Sequence, residues 1–311
     1  MDPNEFAISA VPLQHTPYGP LVPKKIVGKN KGKVAVVTGA AQGIGKSIAE
    51  ALAHSGANVA ILDLKDASET KTACESLNVK SVYYNCDVTD VARMRTVLGD
   101  IEKDLGAVDI LVNNAGMTRG RPICMDTFEG YWRCFEVNYK SVMSTIFAVL
   151  PGMRERGSGT IINISSRAGT LDCPFALGYT DSKTAIIRAT ASIQEELEAD
   201  GLGDKIQIFS LHPGGVPSAL GASSFPADVA ERYPAAAEMM KEFHKFLKTD
   251  PSLCGMTCAY LATGQAKELR GMYFDVRQDI ERVASRGRSA LRKAGLYTLK
   301  IDFLEDYANE I

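Results

Sequence analysis

The sequence lacks the features that mark several large classes of protein. No apolar run reaches the roughly 18 to 20 residues that span a bilayer, so we expect no membrane-spanning helix. The net charge is only -2 and the basic residues form no stripe, which argues against a nucleic-acid partner. Met1–Lys25 lacks the basic-then-apolar layout of a secretory signal.

Histidine and cysteine are scattered rather than clustered. The four histidines show no spacing typical of a zinc site or a Ser-His-Asp triad, so no metal is predicted. The seven cysteines include no Cys-x-x-Cys pair, and we interpret them as reduced residues of a cytoplasmic protein. Cys254 and Cys258 share a helix face, but two thiols without further ligands are better explained as small core residues.

The chain has an ordinary globular composition after a proline-rich beginning. With 311 residues, of which 45% are hydrophobic, it is long enough for one large core or two small ones. Residues 1–30 predict an extended arm, which is either loose or draped over a neighbouring subunit. Its prolines are Pro3, Pro12, Pro17, Pro20 and Pro23.

A strand, a glycine-rich turn and a helix follow the arm in that order. Lys33–Thr38 is typical of a central parallel strand covered on both faces, and residues 46–55 repeat apolar side chains at helical spacing. This order presents backbone N–H groups and a helix N-terminus to a pyrophosphate, although the glycines alone also fit a tight turn without a ligand. The residues predicted to bind here are Gly39, Gln42, Gly43, Ile44 and Gly45.

An acidic residue after the second strand predicts the cofactor. The run Asn58–Leu62 ends in Asp63, whose carboxylate is placed to accept hydrogen bonds from both hydroxyls of an adenosine ribose. A 2′-phosphate would meet the same negative charge, and Gln42 is not the basic residue that would offset it. We therefore expect NAD rather than NADP, while the nearby Lys65 leaves NADP open.

Two further strands end in polar residues at the same edge of the predicted sheet. The run 81–86 leads to Asp87 and Val88, which are placed to border the adenine. After a helix over 91–105, the strand Asp109–Val112 runs into the segment Asn113–Gly116.

Tyr179 and Lys183 carry the predicted chemistry. They are four residues apart in a helical pattern, so both side chains leave one face of the helix. A free tyrosine titrates near about 10, and an adjacent ammonium favours the phenolate. A buried-strand run over residues 160–164 ends in Ser165 and Ser166 nearby, and strand alternation directs these two hydroxyls to opposite faces.

These motifs resemble the short-chain dehydrogenase/reductase family. The turn Thr38–Gly45, the segment Asn113–Gly116, Ser166, and Tyr179 with Lys183 are similar to its TGxxxGxG, NNAG, Ser and YxxxK elements, in the same order, over roughly residues 33–276. The resemblance implies an α/β fold, a Rossmann-like doubly wound parallel seven-stranded sheet with helices on both faces and strand order 3-2-1-4-5-6-7. It also implies a homodimer or homotetramer.

The same resemblance assigns further residues. It implies that Asn138, at a helix irregularity, is a fourth catalytic residue beside Ser166, Tyr179 and Lys183, and it selects Ser166 over Ser165 by the usual spacing to the tyrosine. Residues 213–218 resemble the family's PGxVxT segment, with Ser218 in place of threonine. The residues implied to contact the cofactor, beyond those of the turn, are Asp63, Asp87, Val88, Asn114, Ala115, Gly116, Tyr179, Lys183, Pro213, Gly214, Val216 and Ser218. His212 is interpreted as structural.

The chain is expected to divide into the arm, a Rossmann domain over 31–276 and a C-terminal extension over 277–311. Within the domain, residues 217–250 are expected to form a substrate lid, in which methionines and phenylalanines predict a bulky apolar substrate. Helix packing is the alternative for that apolar stripe. The extension either contacts another subunit or covers the site.

Two departures from the family pattern bear on the substrate and on the lysine. Asp181 lies between Tyr179 and Lys183, and helical spacing predicts that it faces elsewhere. Arg119 and Arg121 either hold an acidic substrate group or are surface charges, and surface charge is favoured.

The predicted function is NAD(P)-dependent interconversion of a secondary alcohol and a ketone on a bulky apolar small molecule, with secondary metabolism as a hypothesis for the pathway. The alternative is an epimerase, dehydratase or cyclase that uses the dinucleotide transiently or as a scaffold, since a fold does not fix a function. A binding or regulatory protein with a vestigial site is less favoured, because no residue of the catalytic set is missing.

Overall fold

Runs of aliphatic residues form one parallel sheet of seven strands in the order β3-β2-β1-β4-β5-β6-β7. The computed structural model describes residues 9–301. The strands are β1 (Val34–Thr38), β2 (Asn58–Asp63), β3 (Ser81–Asn85), β4 (Ile110–Asn113), β5 (Gly159–Ile164), β6 (Ile206–His212) and β7 (Tyr273–Asp275). This confirms the predicted Rossmann-like sheet. The strand order changes direction between β1 and β4, where a crevice opens at the carboxyl ends of the strands.

Helices connect the strands and cover both faces of the sheet. They are α1 (Pro23–Ile26), α2 (Gly43–His54), α3 (Ser68–Glu75), α4 (Val91–Asp104), α5 (Phe128–Phe135), α6 (Ser141–Arg156), α7 (Leu177–Ala199), α8 (Ala227–Arg232), α9 (Pro234–His244), α10 (Pro251–Leu261), α11 (Ile280–Ala284) and α12 (Arg288–Lys293). Every residue of β1 and β6 is buried. Neighbouring residues of β1 enter opposite cores: Ala35 and Val37 pack on one face, and Val34 and Val36 on the other.

The long helical pattern over residues 129–153 is interrupted in the structure. Between α5 and α6, Glu136–Lys140 forms a π-helical turn that contains Asn138. Such turns are rare and are frequent at functional sites. The irregularity that the family resemblance implies at Asn138 is therefore present.

The N-terminal arm is not extended throughout. Gly19–Leu21 forms a 3₁₀ turn and Pro23–Ile26 a single helical turn, because proline is compatible with a first helical position and Leu21 and Ile26 are buried in the core. The Tyr18 hydroxyl donates a hydrogen bond to the carbonyl of Gln278 and accepts one from Ile280 N. Within residues 9–301 the arm thus packs on its own chain.

The described part of the C-terminal extension also packs on its own chain. Arg288 and Arg292 of α12 both pair with Glu195 of α7. Residue 297 lies against the edge strand, where Tyr273 N donates to Tyr297 O at 2.9 Å. The extension beyond residue 301 lies outside the described residues.

Several sequence expectations concern the whole chain. Over residues 9–301, no helix is both long and apolar enough to cross a membrane. In the same range, no group of three or more metal-ligating side chains is arranged to hold an ion. Cys254 and Cys258 are wholly buried in the core, in agreement with a packing role.

Candidate active site

The glycine-rich turn is tied to the end of β4. Asn114 Nδ2 donates to the carbonyl oxygens of Thr38, at 3.0 Å, and Gly39, at 2.9 Å. Gly39 has a φ of +66°, and a Cβ on it would lie 2.8 Å from Ala115 Cα. A Cβ on Gly45 would lie 2.1 Å from the Gly39 carbonyl oxygen. The turn therefore requires glycine at both positions.

The turn delivers a helix N-terminus to a large cavity at the carboxyl ends of the strands. Gln42 precedes α2 and its side chain caps no backbone N–H group. The first N–H groups of the helix thus remain available to an anion, as at phosphate-binding helix termini. Gln42, Gly43, Ile44 and Gly45 all line the cavity, whose volume is about 1240 Å³.

Asp63 lies at the end of β2 and lines the cavity. Oδ2 accepts a hydrogen bond from Ala41 N at 2.8 Å, and Oδ1 accepts one from Lys65 N at 2.9 Å. The Lys65 ammonium lies 3.4 Å from Gln42 Oε1. Asp63, Lys65 and Gln42 therefore meet at one place on the cavity wall, as the sequence suggested.

Asp87 and Val88 border the same end of the cavity. Asp87 pairs with Arg133 of α5 at 2.9 Å and accepts a hydrogen bond from the Thr89 hydroxyl at 2.7 Å. These contacts fix the loop after β3 against α5. The arginine was not anticipated, because it comes from a distant part of the chain.

The four predicted catalytic residues meet beyond β4 and β5. Lys183 is 3% exposed, and its Nζ lies 5.6 Å from the centre of the Tyr179 ring. Lys183 Nζ donates to the carbonyl oxygen of Ile164 at 2.7 Å. Ser166 hydrogen-bonds to the Tyr179 side chain, whereas Ser165 is buried and its hydroxyl donates to Lys183 O at 3.2 Å. Ser166 is thus the hydroxyl that reaches the phenol.

Asn138 binds the backbone of Met117 and the side chain of Ser182, next to the other predicted catalytic residues. Its Oδ1 accepts from Met117 N at 2.8 Å, and its Nδ2 donates to Met117 O at 2.9 Å and to the Ser182 hydroxyl at 3.0 Å. Ser182 in turn donates to Tyr179 O at 2.7 Å. The wholly buried Asn138 side chain therefore joins the segment after β4 to α7. Its catalytic role stays a prediction.

Burial is the largest influence on the pKa values of Tyr179 and Lys183. Burial raises the pKa of the Tyr179 phenol, while the hydrogen bond with Ser166 lowers it. Tyr179 as a whole residue is only half-buried and lines the cavity, where solvent weakens the effect of burial. Burial also lowers the pKa of Lys183 to about 8. Burial is thus the largest influence on the pKa of Tyr179, and the expected lowering by the ammonium stays a prediction.

The segment after β6 closes the cavity opposite the glycine-rich turn. Pro213, Gly214, Val216 and Ser218 line the cavity. A Cβ on Gly43 would lie 3.7 Å from Ser218 Cβ, so this segment comes close to the turn at the cavity wall. The Ser218 hydroxyl accepts a hydrogen bond from Gly221 N at 3.0 Å.

Comparisons with known proteins identify the family of this chain. A family model described as short chain dehydrogenase matches residues 33–228. A short chain dehydrogenase of Pseudocercospora fijiensis is 30% identical over 307 residues, which cover 95% of this chain and 98% of that one. This chain belongs to the short chain dehydrogenase family. It is an oxidoreductase family, and it has the seven-stranded fold described above.

Other members of the family are similar over shorter stretches. A galactitol 2-dehydrogenase of Agrobacterium fabrum is 39% identical over 186 residues, which are 59% of this chain and 70% of that one. A short chain dehydrogenase from Mycobacterium paratuberculosis, solved bound to NAD, has a TM-score of 0.70 and 29% identity. It covers 82% of this chain, and all of that chain is matched.

The cavity fits a dinucleotide of the kind that this family uses. The uncapped start of α2, the close-packed glycines and the Asp63 carboxylate lie at one end, and Tyr179 lies at the other. At about 1240 Å³ the cavity is larger than the roughly 300–1,000 Å³ of a typical small-molecule pocket, which leaves room for a second molecule.

Aromatic side chains line the space beyond Tyr179. Phe175 packs against Phe225 and Tyr233, with ring centroids 5.1 Å apart in both pairs. No residue of α9 is buried, and this helix contributes Met239, Met240 and Phe243 to the cavity wall. The stripe of the predicted lid thus faces a cavity rather than packing into the core.

Three charged residues near the site are paired with other side chains of the protein. Asp181 accepts a hydrogen bond from the Tyr131 hydroxyl at 3.1 Å, so it faces away from Lys183 as predicted. Arg119 pairs with Asp126 at 2.9 Å and Arg121 with Asp228 at 2.7 Å. The two arginines therefore support the loop after β4, and neither is a free anchor for an acidic group.

His212 is structural in its contacts, as interpreted from the sequence. Its Nδ1 accepts a hydrogen bond from Arg167 N at 3.2 Å, and burial lowers its pKa to about 4. The ring is therefore neutral at pH 7, which suits the acceptor role.

Sequence reasoning missed the part of the arm that lines the cavity. Ser9, Val11, Pro12, Leu13 and His15 all contribute to the wall. This part of the arm contacts the rest of the chain where His15 Nδ1 lies 3.1 Å from the Thr249 hydroxyl. The proline content indicated an arm, but no local pattern indicated where it would lie.

Proposed function

We propose that the protein interconverts a secondary alcohol and a ketone on a bulky, largely apolar molecule, with NAD(P) as the hydride carrier. The observation that carries this proposal is that one cavity joins the glycine-rich turn to the group of Ser166, Tyr179 and Lys183. The nicotinamide ring supplies or accepts the hydride when the cofactor is bound.

The side chains handle the proton of the reacting oxygen. In the oxidation direction, the Tyr179 phenolate takes the proton of the substrate hydroxyl, and Ser166 fixes the same oxygen by a hydrogen bond. In the reduction direction, Tyr179 returns the proton to the oxygen. Lys183 supplies positive charge beside the phenol, and Asn138 keeps α7 in register with the segment after β4.

The proposed cofactor is NAD. The carboxylate of Asp63 lies beside the turn, where it would repel a 2′-phosphate, and the Mycobacterium paratuberculosis relative was solved with NAD. The opposing feature is Lys65, whose ammonium lies beside Gln42 rather than on Asp63. Titration with NADH and NADPH, followed by fluorescence, tests the proposal; tighter binding of NADPH would contradict it.

We also infer a homodimer or homotetramer. Phe128, Trp132 and Phe147 on α5 and α6 are 70%, 45% and 74% exposed. The rings of Phe128 and Trp132 stack with centroids 6.1 Å apart. Large exposed apolar side chains favour an interface with a second copy. Sedimentation should show a dimer or tetramer that Phe147→Glu weakens, and a monomeric wild type would contradict the inference.

The experiment that tests the function measures stoichiometry. The purified protein is given NADH and a panel of aryl and alicyclic ketones, and product formation is compared with the loss of nicotinamide absorbance. We expect one NADH consumed for each alcohol formed. A substrate converted with no net change in absorbance would instead indicate epimerisation, dehydration or cyclisation.

A further inference from the structure

Three cations line the cavity at the end where β5, β6 and β7 terminate. Arg167 follows Ser166, Arg277 lies two residues beyond the end of β7, and Lys248 lies at the end of the predicted lid. His212 links two of them, because it accepts a hydrogen bond from Arg167 N and pairs across the sheet with Asp275. Asp275 in turn holds the Arg277 guanidinium.

The N-terminal arm brings the third cation to the same place. Gln14 N donates to Arg277 O at 2.8 Å, and the next residue, His15, accepts at its carbonyl from Asp250 N at 2.8 Å. Burial lowers the pKa of His15, and Lys248 and Arg277 lower it further. His15 is therefore mainly neutral at pH 7, and both cations are near enough to influence it.

Within residues 9–301, the carboxylates that line the cavity lie away from Arg167 and Lys248. The carboxylates that line the cavity within residues 9–301 are Asp63 and Asp87, which lie at the ends of β2 and β3. Arg277 pairs with Asp275 through contacts of 3.0 and 2.7 Å. Arg167 and Lys248 line the cavity, and no ion pair of either occurs within the described part of the chain.

Three other arginines near the site, unlike Arg167, are paired with carboxylates. Arg119, Arg121 and Arg133 each contact a carboxylate within 2.9 Å. Those three support loops, whereas Arg167 and Lys248 are exposed residues of the cavity wall. A cluster of like charges beside low-dielectric walls attracts an anion more strongly than isolated surface charges do.

We propose that this end of the cavity binds a carboxylate of the substrate, held by Arg167 and Lys248 with Arg277 behind them. A guanidinium matches a carboxylate in a bidentate geometry, and such charge-assisted hydrogen bonds are among the stronger polar contacts. The aromatic wall formed by Phe175 and Phe225 takes the apolar body. The substrate class is thus an aromatic or alicyclic hydroxy acid or keto acid, an assignment that rests on the function proposed above.

The test is a binding measurement that needs no turnover. Calorimetry with the full chain, with and without NADH, compares three aromatic carboxylates of one, two and three rings with their primary carboxamides. We expect at least one carboxylate to bind about tenfold more tightly than its amide. Arg167→Gln and Lys248→Gln should each reduce this ratio severalfold and leave amide binding unchanged.

The matched control is Arg95→Gln, because Arg95 is an exposed arginine of α4 outside the cavity. It should leave the ratio as in the wild type. The proposal is overturned if no carboxylate is preferred over its amide in either condition, or if both cavity variants keep the wild-type ratio. Failure of the proposed oxidoreduction would appear separately, as absence of NADH consumption with every ketone.

Discussion

Lys183 Nζ lies over the Tyr179 ring, 5.6 Å from its centre, while it donates a hydrogen bond to the carbonyl of Ile164 at 2.7 Å. The lysine is thus anchored to the end of β5 and acts on the phenol through its charge rather than by a direct hydrogen bond. Because its pKa is lowered to about 8, the ammonium is the main form at pH 7. With burial raising the pKa of Tyr179, the pair at neutral pH is a phenol beside an ammonium.

Tyr179→Phe should remove most of the turnover. The change deletes the hydroxyl that carries the proton, and positioned general acid–base groups contribute about 10²–10⁴-fold to rates. NADH affinity should change little. Steady-state kinetics and NADH titration measure both effects.

Tyr131→Phe is the control for that variant. The Tyr131 hydroxyl of α5 donates to Asp181 on α7, the helix that carries Tyr179, and Tyr131 does not line the cavity. It should keep near wild-type turnover. Equal turnover in Tyr179→Phe and the wild type would remove Tyr179 from the mechanism.

Ser166→Ala should shift the pH profile as well as slow the reaction. The Ser166 hydroxyl lowers the pKa of Tyr179, so its removal raises that pKa. Oxidation needs the phenolate, and its rising limb should therefore move to higher pH. Reduction needs the phenol and should persist to higher pH. Profiles of kcat/KM in both directions measure this, and a limb that stays in place or moves down would contradict it.

Asp63→Ser should relax the choice between the two dinucleotides. The substitution removes a negative charge from the ribose end of the cavity and leaves Lys65 in place. NADPH should bind more tightly than to the wild type and NADH more weakly, since a 2′-phosphate no longer meets a carboxylate. The ratio of the two dissociation constants reports the change; an unaltered ratio would show that Asp63 does not select the cofactor.

Gly45→Ala should impair both stability and dinucleotide binding. Its Cβ would lie 2.1 Å from the Gly39 carbonyl oxygen, so the turn must shift, at a cost of about 1–3 kcal/mol or more. Gly99→Ala provides the contrast, because no atom lies within 4 Å of its added Cβ in the middle of α4. It should stabilise the protein by about 0.5–1 kcal/mol. Denaturant unfolding and NADH titration compare the two, and similar effects would contradict the role of the turn.

The sheet was predictable because each strand carries its own local signal. β1, for example, is a run of apolar residues followed by glycines. The four-residue spacing of Tyr179 and Lys183 predicts a helix, and both residues lie in α7. Ser166 followed from strand alternation together with the family spacing. These inferences need only residues that are close in sequence.

The rest of the site depends on contacts between distant residues. His15 meets Thr249, and Arg167 meets His212, through chain reversals that no local periodicity encodes. The sequence also drew attention to Arg119 and Arg121, whose carboxylate partners arise only in the folded chain. Burial was the other unpredictable quantity, and it is the largest influence on the pKa of Tyr179.

The most direct test of the account follows the hydride itself. The protein is given NADH deuterated at C4 on either face together with a ketone that it reduces, and the alcohol is analysed by mass spectrometry and NMR. The account predicts one deuterium on the carbinol carbon from one of the two labelled cofactors, and loss of that product with Tyr179→Phe. Product that forms without deuterium from either cofactor would contradict hydride transfer at this site.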